Sequence, residues 1–399
     1  MSDIFNFITV IINFFLYFVL LFIIWWKNKR FSAIEILLLM YAMVSFCGII
    51  YYQQGTEQWQ FDIFYFLYLF FVFFIGVLPI KNTSKIEVNY SPIRYSVFYK
   101  IVSWVFIGLS IYSCIVYLPQ VIFVLTNPDW AELYADSHDE SLAFSGSVLA
   151  NAFFHIRYLG IVLFFSFLPE KKSIFFKTIL GIASFLPVTL VTLTKASRGG
   201  IVSLVVSLIL SFMIFKPLYP HKTIKRVALI ALILMPLAFI YFMAVSTSRF
   251  DTNSSTLEDS FLSYIGQPML CFNYGVMDSI TGYANGAYMF NIGDYGRLIK
   301  GCHFGSGFIT YIGCLYLDYG FWGTIFIAAL VAILVKAVIN SRKRLGIPEL
   351  FILVTYFMLL FNGVFILPPS YGQQWIEAAI IYLLLRLFEN IFNPKVLAR

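Results

Sequence analysis

Residues 4–26 read IFNFITVIINFFLYFVLLFIIWW, an uncharged run closed by Lys27, Lys29 and Arg30. About 20 mostly apolar residues suffice to cross the hydrocarbon core of a bilayer as a helix. The run predicts a membrane span. No small-residue cleavage site follows it, so a retained span is expected rather than a signal peptide. The pattern then recurs, with further apolar runs near 32–52, 62–80, 101–125, 147–168, 174–194, 199–215, 227–246, 319–339, 349–367 and 375–392. The 399-residue chain is 60% hydrophobic and 12% charged, against roughly 25% charged in ordinary soluble domains. A soluble core could not hide that much apolar surface. This excludes a soluble enzyme, a nucleic-acid-binding protein and a disordered scaffold, despite a net charge of +7. The prediction is an all-α polytopic membrane protein of about eleven transmembrane helices (10–12), with residues 1–399 forming a single integral membrane domain.

Lys and Arg in alternate loops set the orientation. One side collects Lys27, Lys29, Arg30, Lys81, Lys85, Arg94, Lys100, Lys171, Lys172, Lys177, Lys216, Lys222, Lys225 and Arg226. It also takes Lys336, Arg342, Lys343, Arg344, Arg386, Lys395 and Arg399, bringing it to 21 of the 27 cations. That side is read as cytoplasmic, which places the N-terminus outside and the C-terminus inside. Six cations remain outside or within a span: Arg157, Lys195, Arg198, Arg249, Arg297 and Lys300. Most acids also lie outside, so each of these six works against both the topology rule and the local field.

Two outer loops are long, at about 126–146 and 247–318. The second holds or borders twelve of the 24 glycines, those between Gly266 and Gly323, together with aromatics such as Tyr264, Phe272, Tyr283, Tyr288 and Tyr295. Long ordered loops in compact proteins usually carry function. Stretches 257–280 and 305–318 are expected to form short amphipathic helices at the interface.

The segment Thr194-Lys195-Ala196-Ser197-Arg198-Gly199-Gly200 joins two spans on the outer side. Arg offers a planar fork of donors to phosphate, Lys a mobile charge, and the glycines leave backbone amides open at a helix start. The competing reading has both side chains reaching to lipid headgroups. Arg157 sits inside a span, where a cation is expensive and should face a polar cavity, binding an anion or pairing with an acid on another segment. His155 lies two residues earlier, on a different helix face. In the long loop, Asp294, Arg297, Lys300 and His303 fall within GDYGRLIKGCHFG. His303 or Asp294 could take a proton from a hydroxyl, with Asp251, Glu258, Asp259 and Asp278 as competitors. Asp318-Tyr319-Gly320-Phe321-Trp322-Gly323, at the re-entry to the membrane, reads as structural: glycines for close packing, Asp318 as the cap of that helix. No metal-ligand spacing, Walker motif or dinucleotide fingerprint occurs, so neither a metal nor a nucleotide cofactor is expected.

The topology, the Ser197-Arg198-Gly199-Gly200 turn and Asp318-Tyr319-Gly320 with Gly323 together resemble the bacterial O-antigen polymerases, the Wzy-type oligosaccharide repeat unit polymerases. The resemblance covers most of the chain as a topological pattern, through short motifs. It implies a GT-C-like protein of the bacterial inner membrane with its active site facing the periplasm. The implied reaction is inverting and metal-independent, moving a growing glycan from undecaprenyl pyrophosphate to the non-reducing end of a new lipid-linked repeat unit. The implied partners are the undecaprenyl-pyrophosphate-linked donor and acceptor, the lipid bilayer and a chain-length regulator protein. Arg157, Lys195, Arg198, Arg249, Arg297 and Lys300 would bind pyrophosphate; Arg198 and Arg297 would also stabilise it as it leaves, and His303 or Asp294 would act on the proton. A groove between spans would hold the polyprenyl chain. The family's arginine–glycine loops of fixed spacing are not reproduced, since Arg297 meets Gly307 one residue early.

Two rival readings stay open. An O-antigen ligase shares the architecture and donor, but ligases place a polar residue after the loop histidine, where this chain has Phe304. A lipid-linked oligosaccharide flippase, a transporter, would carry two similar halves and cations in many spans.

Overall fold

In a bilayer core no water satisfies backbone N–H and C=O groups, so apolar runs of span length fold as helices. The computed structural model follows this rule. It describes residues 2–29, 32–53, 59–81, 87–88, 97–126, 148–169, 173–194, 198–229, 257–301, 309–341, 344–367 and 371–392, with the single positions 232, 236 and 240. In chain order its helices are α1 (Ser2–Asn28), α2 (Ala33–Gln53), α3 (Ile63–Val77), α4 (Val97–Thr126), α5 (Val148–Phe167), α6 (Ile174–Thr194) and α7 (Arg198–Phe215). There follow α8 (Leu257–Cys271), α9 (Ala287–Phe290), α10 (Tyr295–Leu298), α11 (Thr310–Asn340), α12 (Ile347–Asn362) and α13 (Tyr371–Phe392). Seven of the described helices, α1 to α4, α6, α7 and α11, are long and apolar enough to cross a membrane, and the chain is an α-helical, multi-pass membrane protein. The expected span 227–246 lies largely outside the described residues. Phe15, Phe22, Trp25 and Trp26 stay exposed on α1, as expected of a lipid-facing helix ending in an interfacial aromatic belt.

The chain divides into two compact units, Met1–Lys85 with Ser255–Ser341 and Tyr356–Trp375, and Ile86–Ser254 with Arg342–Thr355 and Ile376–Arg399.

In the first unit α1, α2 and α3 pack together, and α8 lies along α2. Glycine makes that approach. A Cβ on Gly266 would sit 2.6 Å from the Cys47 carbonyl oxygen and 2.9 Å from the Gly48 nitrogen. Asn13 donates to Ser45 Oγ at 3.2 Å and to Met269 Sδ at 3.3 Å, so α8 reaches polar groups well inside α1 and α2. The stretch 257–280 is therefore not laid along the interface as expected; its apolar face finds α2. Replacing Gly266 by Leu should push the two backbones apart and lower stability by about 1–3 kcal/mol, read as a lower melting temperature in detergent. A π-helical turn, Phe272–Met277, continues α8 and brings Asn273 to the α2–α3 connection. There Asn273 donates to the Asp62 carbonyl at 2.7 Å and accepts from the Asp62 amide at 3.1 Å.

α11 starts earlier than the expected span and bends at Gly320, whose φ of 65° belongs to the left-handed region that glycine tolerates. Residues 309–318 are buried, so this part of the stretch expected at the interface is the enclosed first leg of α11. The amides of Thr310 and Tyr311 donate to Phe365 and Gly363 carbonyls at 2.9 and 2.6 Å.

In the second unit α4, α5, α6 and α7 pack as a bundle. Gly160 lies under the Phe106 ring and Gly181 under Phe164. Two short parallel strands, β1 (Glu87–Val88) and β2 (Arg344–Leu345), pair with each other. Both come from segments that the Lys and Arg distribution places on one side of the membrane.

Candidate functional site

The loop that precedes α11 in the first unit is held by a buried carboxylate. Asp318 Oδ1 accepts from the Gly286 and Tyr288 amides at 3.1 and 3.0 Å, and Oδ2 from the Met289 amide at 2.8 Å. Asp318 therefore caps α9, a helix far from it in sequence, and not the head of its own span as expected. Its structural role stands; its partner differs. The carbonyls of Leu317 and Asp318, freed where α11 breaks at Gly320, accept from the amides of Ala284 and Asn285, both at 2.8 Å. Tyr288 donates its hydroxyl to the Leu367 carbonyl at 2.6 Å, and burial pushes its phenol far above the ordinary range, leaving it a neutral donor.

Asp294 and Arg297 meet on this loop. Arg297 Nε lies 2.7 Å from Asp294 Oδ2, with side chains 87% and 61% exposed. The spacing of three residues brings them together across α10. Lys300 is exposed and joins the loop to Gly282 through a backbone bridge. A cleft of about 480 Å³ in the same unit is lined by Asn6, Gln60, Asp62, Tyr65 and Asp278.

The second unit holds His155 and Arg157 of α5 and Glu377 of α13. Arg157, half-buried on α5, donates from Nη2 to the Tyr158 hydroxyl at 2.8 Å, and its guanidinium lies 4.6 Å from the Tyr158 ring centroid. His155 Nδ1 lies 2.6 Å from Glu377 Oε2, with side-chain exposures of 16% and 35%. Glu377, in the second turn of α13, was not singled out from the sequence. Its signal was an acid inside an apolar run, which is a functional-site hypothesis by default. An apolar groove of about 370 Å³ runs between α4 and α6, lined by Ile107, Ile111, Leu118, Ile182 and Leu186.

Lys195, Arg249 and His303 lie outside the described residues, and Arg198 is described only as the first residue of α7. Gly200 packs directly against the Thr192 side chain of α6, where any Cβ would collide. This gives Gly200 a role in the close contact of α7 with α6 without a bound anion. Of the proposed pyrophosphate ligands, Arg157 falls in the second unit and Arg297 and Lys300 in the first. Among the described residues no group of three His, Cys, Asp or Glu side chains could hold a metal ion.

No family model, no curated protein and no solved structure matches this chain.

Proposed function

We propose that the protein is a polysaccharide polymerase of the bacterial inner membrane. It transfers a growing glycan from undecaprenyl pyrophosphate to the non-reducing end of a new lipid-linked repeat unit. The observation that carries the reading is Arg157, an arginine kept half-buried on the hydrophobic helix α5 and turned onto Tyr158. The guanidinium there presents a planar fork of donors that suits a phosphate, such as the donor's pyrophosphate at the membrane surface. The α4–α6 groove of the same unit has the apolar lining a polyprenyl chain needs. Each of Arg157, Lys195, Arg198, Arg249, Arg297 and Lys300 is a candidate ligand of the pyrophosphate, and Arg198 or Arg297 would stabilise negative charge as it leaves.

Deleting the gene and separating the surface polysaccharide on a gel tests the reading. Single repeat units still capping the core are expected; total loss of surface glycan would favour a ligase or flippase instead. Arg157→Ala, Arg198→Ala and Arg297→Ala should each abolish long chains while the protein stays in the membrane. Removing one such donor costs about 10²–10³ in kcat. Normal ladders from all three variants would refute the arginine assignment.

A further inference from the structure

We propose that His155, held by Glu377, is the group that takes the proton from the attacking sugar hydroxyl. This rests on the polymerase reading above and departs from it by moving the base from the outer loop to the membrane helices. The 2.6 Å separation between His155 Nδ1 and Glu377 Oε2 is a hydrogen bond, and with Glu377 ionised its donor is the Nδ1–H of the imidazole. A neutral imidazole carries one proton, so Glu377 assigns it to Nδ1 and leaves the lone pair on Nε2. An imidazole whose Nδ1–H is held by a carboxylate, with Nε2 facing the reactant, is the arrangement that general-base histidines use elsewhere.

Position supports the assignment. His155 stands seven residues past the start of α5 and Glu377 six residues past the start of α13. At 1.5 Å per residue each lies about 10 Å from those helix ends, which the Lys and Arg distribution places outside. Both side chains are partly exposed, so a ligand can reach them. Asp294 differs: its carboxylate is bound to Arg297 in the open.

The step balances. The acceptor hydroxyl oxygen forms a bond to the anomeric carbon of the donor as the bond from that carbon to the pyrophosphate oxygen breaks. The electron pair of the broken bond stays on the pyrophosphate. The hydroxyl proton passes to His155 Nε2, and the imidazolium is stabilised by Glu377 until it returns the proton to water. His155 touches the reacting atoms; Glu377 is a positioning residue acting through it.

The test uses the full-length protein in proteoliposomes, with lipid-linked repeat units extracted from cells lacking the gene. His155→Gln should lower kcat by about 10²–10⁴-fold with little change in KM. Added imidazole should restore part of the activity of His155→Ala. Glu377→Gln keeps an acceptor for Nδ1–H but loses the charge, and should lower kcat roughly tenfold or more with KM unchanged. If His155→Gln misfolds by its melting curve, Glu377→Gln and the imidazole rescue decide. Wild-type rates in His155→Gln, a change in KM alone, or a loss that imidazole does not relieve in folded protein would overturn the proposal and leave the polymerase reading intact. Failure of the wild-type protein to elongate would instead overturn the reading on which it rests.

Discussion

Asp318→Ala is expected to lower stability by roughly 3–5 kcal/mol, through the buried amides it leaves without acceptors. Asp318 is fully buried, and the Gly286 and Tyr288 amides it accepts from are enclosed with it. Water can reach the third amide, that of Met289, which is only partly buried. The loss should be local first. α9 is a four-residue helix and cannot stand without its cap, so the loop from Tyr283 to Lys300 should loosen before the spans separate. Trypsin should then cut faster at Arg297 and Lys300, while the melting temperature in detergent falls. Asp318→Asn keeps the acceptor for Gly286 and Tyr288 but turns an N–H toward Met289, so an intermediate loss is expected. An alanine variant with wild-type melting and cleavage would show that Asp318 does not hold the loop.

The second large effect belongs to Arg386. Its Nε lies 2.9 Å from Glu349 Oε1, and its Nη1 lies 3.8 Å from Glu389 Oε2. Glu349 is wholly buried and Glu389 nearly so, with Glu349 also capping α12 by accepting from the Gly346 amide at 2.9 Å. Arg386→Met keeps most of the packing volume but removes the cation facing both carboxylates. Breaking a buried pair from one side costs about 3–5 kcal/mol, because the remaining charge stays desolvated. Removing the charges together costs far less, so Arg386→Met combined with Glu349→Gln and Glu389→Gln should recover much of the loss. The comparison of melting temperatures between the single and the triple variant checks this. An additive series, with the triple variant the least stable, would show that the three residues do not act as one group.

Much of the architecture was legible before any helix was placed beside another. The runs at 4–26, 32–52 and 174–194 lie within α1, α2 and α6 almost end to end, because lipid solvation is summed over a local window of one chain. The structural reading of Asp318-Tyr319-Gly320 was also legible from residue chemistry. Partner choice was not. The sequence shows that Asp318 can cap a helix, but not that the helix is α9; it shows an unusual Arg157, but not that the nearby acid on α13 takes His155. Likewise 257–280 reads as an amphipathic segment, and only the tertiary structure reveals that Gly266 fits it against Gly48 on α2.

The sequence alone thus determined that this is a multi-pass helical membrane protein, and it flagged the cations that topology does not explain. The tertiary structure decided which polar groups meet: Asp318 with α9, Arg386 with Glu349 and Glu389, and His155 with Glu377. The physical reason is that entry into lipid depends on the local apolar content of a segment. Helix association within lipid has no such bulk driving force; it depends on small residues and hydrogen bonds whose partners come from distant parts of the chain.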